Sequence, residues 1–453
     1  MKKKNIIFLH EQALETQRAT LPPAQPSNII NINQADETRT LCILLVLQAV
    51  VSFRSVPRIL ELFTAQTSLN LPWKPHFTSV INWTFRVGLG RLKQVHPITQ
   101  PWVAIMDHSI DVGTKKALVV LRVTVDALKK RGSAIQLKDC KCIGLTVHDA
   151  IDANVVRDDL EKIFAKAGTP EVIIKDDDST LNKGVYQYSE KQDKTIPVVS
   201  DIGHSMANAL RAEFEKAEDY KNFTATTSHA AKCLRQTAFA FLIPPKLRAK
   251  GRFQSISKLG KWAERMLEVF AVKGRAKQGS ELEKLREVLP DFLQMCGFIE
   301  RFARTTKVTA EVLEILKNKG LNKVTYRQCF QLSKTLPRHS QVKKRLQNWL
   351  KKHIEIQKGV TELPLLVSSD IIESLFGNYK HIIERSPQAD MNRSVLLIPA
   401  LCGCRDESMI KRALNESSQG DLDQWDEENI PYTMRRKRQK FINNKNPKNR
   451  KNT

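Results

Sequence analysis

Three kinds of hydrophobic pattern follow one another along this chain. In the first, apolar residues recur at helical spacing: Thr38–Val51 predicts one helix, Phe53–Phe63 a second that Ser52 is placed to cap, and His76–Gly88 a later one beyond Pro75. From Trp102 the pattern turns to strands. Trp102–Ser109, Lys116–Val125 and Ala134–Val147 read as three in succession, hairpin-joined around Val112-Gly113 and Arg131-Gly132. A helix over Asn154–Ala167, ended by Gly168 and Pro170, leads to a fully apolar strand, Val172–Ile174. A short segment with Leu181 and Val185 precedes a last strand, Ile196–Ser200. The third pattern is almost wholly helical, with His204–Lys216, Ser257–Val272, Glu281–Thr305 and Gln341–Lys358, before a final helix at Ser369–Arg385.

These patterns divide the chain into a loose, polar lead-in (1–36, with Pro22, Pro23 and Pro26) and a helical region (37–95). An α/β core follows in two parts (101–203 and 366–405), separated by an all-α insertion (204–365). Residues 406–453, which include Arg435-Arg436-Lys437-Arg438, are expected to form a basic, disordered tail. The helices of 37–95 resemble tandem helix-turn-helix units, with Arg54, Arg58 and Arg86 as candidate DNA contacts.

Composition sharpens the picture. With 453 residues and 41% hydrophobic content the chain can bury real cores. Its 73 Lys and Arg against 48 Asp and Glu leave a net charge of +25, which favours a polyanionic partner, nucleic acid before anionic lipid. The longest apolar run, Leu41–Phe53, is too short to span a membrane and contains Gln48 and Ser52. Eight scattered cysteines form no zinc-type pairing, so structural thiols in a reducing cytoplasm are expected.

Against this basic background three acidic segments stand out: Trp102-Val-Ala-Ile-Met-Asp107, Glu171-Val-Ile-Ile-Lys-Asp176-Asp177-Asp178 and Asp370-Ile-Ile-Glu373. Two are apolar strands that end abruptly in carboxylate; the third lies on a helix. Phosphodiester chemistry needs a nucleophilic oxygen, a stabilised leaving oxygen and charge relief at phosphorus, which two Mg²⁺ ions about 4 Å apart supply. Mg²⁺ takes oxygen ligands, hence Asp and Glu. Asp107, Asp176 and Glu373 are the candidate ligands, with Asp178 and Asp201 as alternatives for the second. Lys380 follows Glu373 by two helical turns on one face and is placed to meet a phosphate. Asp201-Ile-Gly-His204 reads either as a helix cap or as an accessory contact, and His108 and His204 stay outside the metal set. Trp262 reads either as a stacking residue of the insertion or, by its spacing from Met266 and Val269, as a core helix residue.

The order β-β-β-α-β-(α)-β resembles the RNase H-like fold, a mixed five-stranded sheet here carrying a large all-α insertion. Met-Asp107-His-Ser, Ile-Ile-Lys-Asp176, Val-Ser-Asp201-Ile-Gly-His204, Leu242-Ile-Pro-Pro-Lys and Ile-Glu373-Ser-Leu-Phe-Gly-Asn-Tyr-Lys380 together resemble the DDE transposases of bacterial insertion sequences, over about residues 38–402. The Tyr and Arg of a Tyr-x₂-Arg-x₃-Glu-x₆-Lys signature found in some relatives are Leu366 and Ser369 here. The resemblance implies hydrolysis at transposon ends, then strand transfer into target DNA, with two Mg²⁺ (or Mn²⁺) ions on Asp107, Asp176 and Glu373. It also implies double-stranded partners (terminal inverted repeats and target DNA), a homodimer or higher oligomer, and a place in the prokaryotic cytoplasm at the nucleoid. An RNase H-like nuclease without strand transfer would use the same three carboxylates, whereas a transposase-derived DNA-binding protein would keep the helix-turn-helix region and tolerate loss of the acids.

Overall fold

A computed structural model describes residues 35–67, 71, 73–112, 115–192, 195–247, 253–270, 276–360, 364–383, 392–430, 433, 438 and 441. The lead-in up to residue 34, Gly113, and nearly all of the chain beyond 433 lie outside these residues.

The strands are β1 (Trp102–Val112), β2 (Lys115–Thr124), β3 (Cys140–His148), β4 (Val172–Lys175) and β5 (Val198–Ser200). They form one sheet in the order β3-β2-β1-β4-β5. β1, β2 and β3 are successively antiparallel, while β4 runs parallel to β1 and β5 parallel to β4. This is the mixed five-stranded RNase H-like sheet. Alternation along β1 divides the core between its faces. Trp102, Ala104 and Met106 pack on one side with helices α5 (Ala153–Ala167) and α6 (Ser179–Glu190). Val103 and Ile105 join the larger core on the other side.

That second face is covered by helices from far along the chain. The N-terminal helices are α1 (Ala35–Leu47), α2 (Ser55–Gln66) and α3 (Phe77–Lys93). Helix α3 packs against β3, α15 (Leu397–Leu401), α16 (Glu407–Asn415) and α17 (Gln419–Asn429). A methyl group at Gly88 would fall on the carbonyl oxygen of Leu396, and one at Gly90 on that of Ala413. Two expectations change here. Helix α3, read from the sequence as a helix of the helix-turn-helix region, is a core helix with Val80, Phe85, Val87 and Leu89 buried, wedged between α15 and α16. The span 407–429, expected as disordered tail, forms two helices whose Ile410, Ala413, Leu414 and Leu422 are buried.

Two further boundaries differ for local reasons. Between β2 and β3 the chain forms helix α4 (Val125–Arg131) instead of a hairpin. Thr124 caps it by accepting from Ala127 N, Asp126 sits in its first turn, Lys129, Lys130 and Arg131 in its last, and Gly132 ends it at φ 62°. The helix expected over Glu281–Thr305 is broken at Leu289-Pro290, because proline pushes the preceding residue out of helical conformation. The insertion therefore contains α8 (Glu218–Cys233), α9 (Ser257–Phe270), α10 (Glu281–Val288), α11 (Cys296–Lys319), α12 (Lys323–Lys334) and α13 (Gln341–Val360). Its core joins Phe223, Phe298 and Phe302 to Phe214 of α7 (Ile202–Phe214), the helix that follows β5. Trp262 packs in it, edge-on to Phe292, donating to Leu242 O at 2.8 Å. Helix α14 (Asp370–Ile383) then returns to β1.

Candidate functional site

Parallel pairing of β1 with β4 sets Met106 opposite Lys175. The next residue of each strand is an aspartate, so Asp107 and Asp176 emerge side by side at the carboxyl edge of the sheet. In the β1–β2 ladder the register shifts between Asp107 and Ile110. Asp107 is only 7% exposed, and its Oδ1 accepts from His108 N at 2.6 Å.

The three consecutive aspartates have different partners. Asp178 caps α6, with Oδ1 accepting from Thr180 N and Leu181 N at 2.8 and 3.1 Å. Asp177 accepts from Ser205 Oγ at 2.9 Å. Asp176 is held by Asp178 N at 3.1 Å on Oδ1, and its Oδ2 lies 3.8 Å from His204 Nδ1. Asp201 is spoken for as well: Oδ1 caps α7 at His204 N (2.7 Å), and Oδ2 accepts from Ser369 N and Ser369 Oγ at 2.6 and 3.0 Å. Buried and saturated, Asp201 is the bolt between the start of α7 and the start of α14. Asp176 is the aspartate next to Asp107 along the sheet edge, close enough for the two charges to interact.

Glu373 lies in the first turn of α14 with an exposed side chain. His204 ties it to the strand edge: Nε2 is 3.1 Å from Glu373 Oε1, while Nδ1 faces Asp176. His108 spans in the same way from Asp107 (3.7 Å) to Asp178 (3.4 Å). From the insertion, Gln254 Nε2 lies 3.4 Å from Glu373 Oε1 and 3.1 Å from His204 Nε2. A small cavity of about 150 Å³ opens beside them, lined by Gly203, His204, Gln254, Lys317 and Glu373.

Charge follows this geometry. The bond to Glu373 is the main cause that raises the His204 pKa to about 9; burial opposes it, and Asp201 and Asp176 add to it. Burial works against the charged form of His108, but Asp107, Asp178 and Asp176 outweigh it and the pKa rises. Asp176 is pushed up by burial first and by the charge of Asp107 second. Beneath the edge, the fully buried Lys175 donates to Asp176 O and Asn182 Oδ1. Its pKa is lowered, chiefly by burial.

The structure thus sets Asp107 beside Asp176 at one edge, and His204 bridges Asp176 to Glu373. Among the described residues, no three His, Cys, Asp or Glu side chains converge on one point as a ready metal cage. The Asp107–Asp176 pair has the donor chemistry for Mg²⁺, two adjacent carboxylates that repel each other. Glu373 is the arm that stands apart, engaged by imidazole.

No family model matches the sequence, and no curated protein matches it either. A search of solved structures finds a likeness to a "Drosophila P element transposase strand transfer complex", at 11% sequence identity and a TM-score of 0.39, over 91% of this chain and 100% of that chain. At that level the likeness says nothing about chemistry, which must come from the acid edge itself.

The candidate DNA contacts fare unevenly. Arg58 is exposed on α2 and Arg54 just before it, where Arg54 also lies over the Phe77 ring. Lys380 is half-buried on α14, two turns beyond Glu373. Arg86 is a correction. Its Nε and Nη2 donate to Ser417 O and Leu414 O at 2.8 and 2.9 Å, closing the end of α16. No local pattern signals this, because the acceptors lie 331 and 328 residues away. Of the partners of Glu373, His204 belongs to the Asp201-Ile-Gly-His204 segment read as a helix cap or an accessory contact, whereas Gln254 escapes sequence reasoning. His204 carries a signal, its place in a helix start directly after a strand; Gln254 carries none. No helix among the described residues is long and apolar enough to cross a membrane.

Proposed function

We propose that this chain is a metal-dependent DNA phosphodiester transferase of the transposase type, acting at the edge formed by Asp107, Asp176 and Glu373. The observation that supports it best is the meeting of carboxylates from two adjacent parallel strands and a remote helix on a chain of net charge +25. When bound, Mg²⁺ or Mn²⁺ would supply charge relief at phosphorus and a more acidic water. Asp107 and Asp176 would hold it, with Glu373 as the third donor once released from His204. His204 lies within reach of both Asp176 and Glu373 and holds its proton at neutral pH, so it orients Glu373 and balances the acid edge. Lys175 and the Asp201–Ser369 bolt keep the β4 end and the two helix starts rigid. Lys380, on the same helix as Glu373, would meet a phosphate oxygen.

The test is an assay on labelled duplexes carrying the inverted repeats that flank the gene. Asp107→Asn, Asp176→Asn and Glu373→Gln should each lower Mg²⁺-dependent cleavage about a thousandfold or more, corresponding to several kcal/mol of lost transition-state stabilisation. Duplex binding should survive. Full cleavage by Asp107→Asn would defeat the proposal. Cleaved ends that never join a second duplex would restrict the activity to a nuclease.

A further inference from the structure

Helix α13 divides cleanly into two faces. On one side Val342, Leu346, Trp349, Leu350, His353 and Ile354 are buried. This face docks on the free edge of the sheet: Trp349 Nε1 donates to Ser200 O at 3.1 Å, and His353 Nε2 accepts from Ser200 N at 3.1 Å. At its beginning, Ser340 Oγ and Val342 N donate to Glu213 near the far end of α7. Helix α13 therefore runs antiparallel to α7, and its residues near 352 lie level with the acid edge.

On the opposite side Lys344, Arg345, Lys351 and Lys352 are exposed, with the neutral Asn348 among them. Their spacing puts them within one stripe about 120° wide. The acid on that stripe, Glu355, is paired with Lys358 at 2.7 Å. None of the four cations makes an ion pair among the described residues. Lys352 is close enough to the strand end for its charge to add, after burial, to the lowering of Lys175. From there the stripe extends about 12 Å along the helix axis, away from the acids.

A row of exposed cations without acids to compensate them on a rigid helix presents a surface complementary to a polyanion. A duplex presents one charge per about 1.7 Å of its axis, so a row of about 12 Å can engage several phosphates at once. We infer that the Lys344–Lys352 stripe of α13 is a tract for the phosphate backbone of duplex DNA, leading it to the acid edge. This rests on the proposed activity for its direction, though not for the binding itself. The insertion thereby has a part in substrate binding, since its last helix is clamped to the catalytic sheet and carries the substrate's charge.

The experiment is duplex binding by fluorescence anisotropy, on the full chain, with EDTA present and NaCl varied. The quadruple variant Lys344→Ala, Arg345→Ala, Lys351→Ala and Lys352→Ala should bind more weakly. For every phosphate no longer neutralised, the slope of log affinity against log salt should fall by about 0.9, so a fall of about two to four is expected. A control variant removes the same charge from exposed Lys129, Lys130, Lys162 and Lys166, and should keep the slope within about one unit of the parent. Wild-type slope in the stripe variant, or an equal fall in both variants, would overturn the tract. If the parent binds through the stripe yet never cuts in Mg²⁺, the tract stands and the catalytic reading falls.

Discussion

At the scale of single residues, the most consequential side chains are those that serve as joints. Asp201 accepts three hydrogen bonds from two separate segments while only 1% exposed. Asp201→Ala leaves Ser369 N and the α7 cap without an acceptor and should cost about 3 kcal/mol, read as a shift in urea midpoint. His353 is a second joint. Burial lowers its pKa to about 4, against the partial help of its bond to Trp349 O. A histidine kept neutral in the fold takes up its proton first in the unfolded chain. Its contribution is therefore complete above about pH 6.5 and is lost as pH falls towards about 4, by about 3 kcal/mol in all. Urea unfolding of the parent should weaken over that window more steeply than that of His353→Leu, which is less stable at neutral pH but lacks the titration.

At the scale of elements, the approach of one backbone to another decides what can change. Gly88 and Gly90 let α3 touch α15 and α16 with no side chain between them. Gly88→Ala or Gly90→Ala should cost about 3 kcal/mol or more, because the obstruction is a carbonyl group and not the end of a flexible side chain. Thermal melting of each variant is the check. This close approach also marks the limit of what the sequence discloses. Strands β1, β4 and β5 are legible because uninterrupted apolar runs end in Asp, Lys-Asp and Ser-Asp, a pattern that a buried sheet edge enforces. The distant α14 is legible from its amphipathic spacing. Helix α4 is not, since its Val-Asp-Ala-Leu stretch continues the apolar texture of β2 and only the Thr124 cap and the Gly132 stop separate them. The acid edge is legible as carboxylates; its imidazole bridges are not, because His204 meets Glu373 across 169 residues.

At the scale of the whole molecule, the two ends of the described chain cover one sheet face together. Helix α3 has α15 and α16 on its flanks, Arg86 closes α16, and Arg405 donates to Leu47 O at the end of α1. The terminal helices α3, α15 and α17 contact β3 and α14 contacts β1, so the strands of 101–203 are covered on this face by helices that lie outside that span. Cutting the chain after Arg405 removes the acceptors of Arg86 and uncovers the apolar flank of α3 that α16 shields. The truncated protein should bind a hydrophobic dye and lose its cooperative melt, as expected when a large apolar patch is exposed and a packed interface disappears. A basic tail that merely trailed from the core would leave the melt unchanged, so the cut distinguishes the two. Since the acid edge is assembled by helices held in this same face, cleavage should disappear in step with the melt, whereas Asp176→Asn should lose cleavage with the melt intact.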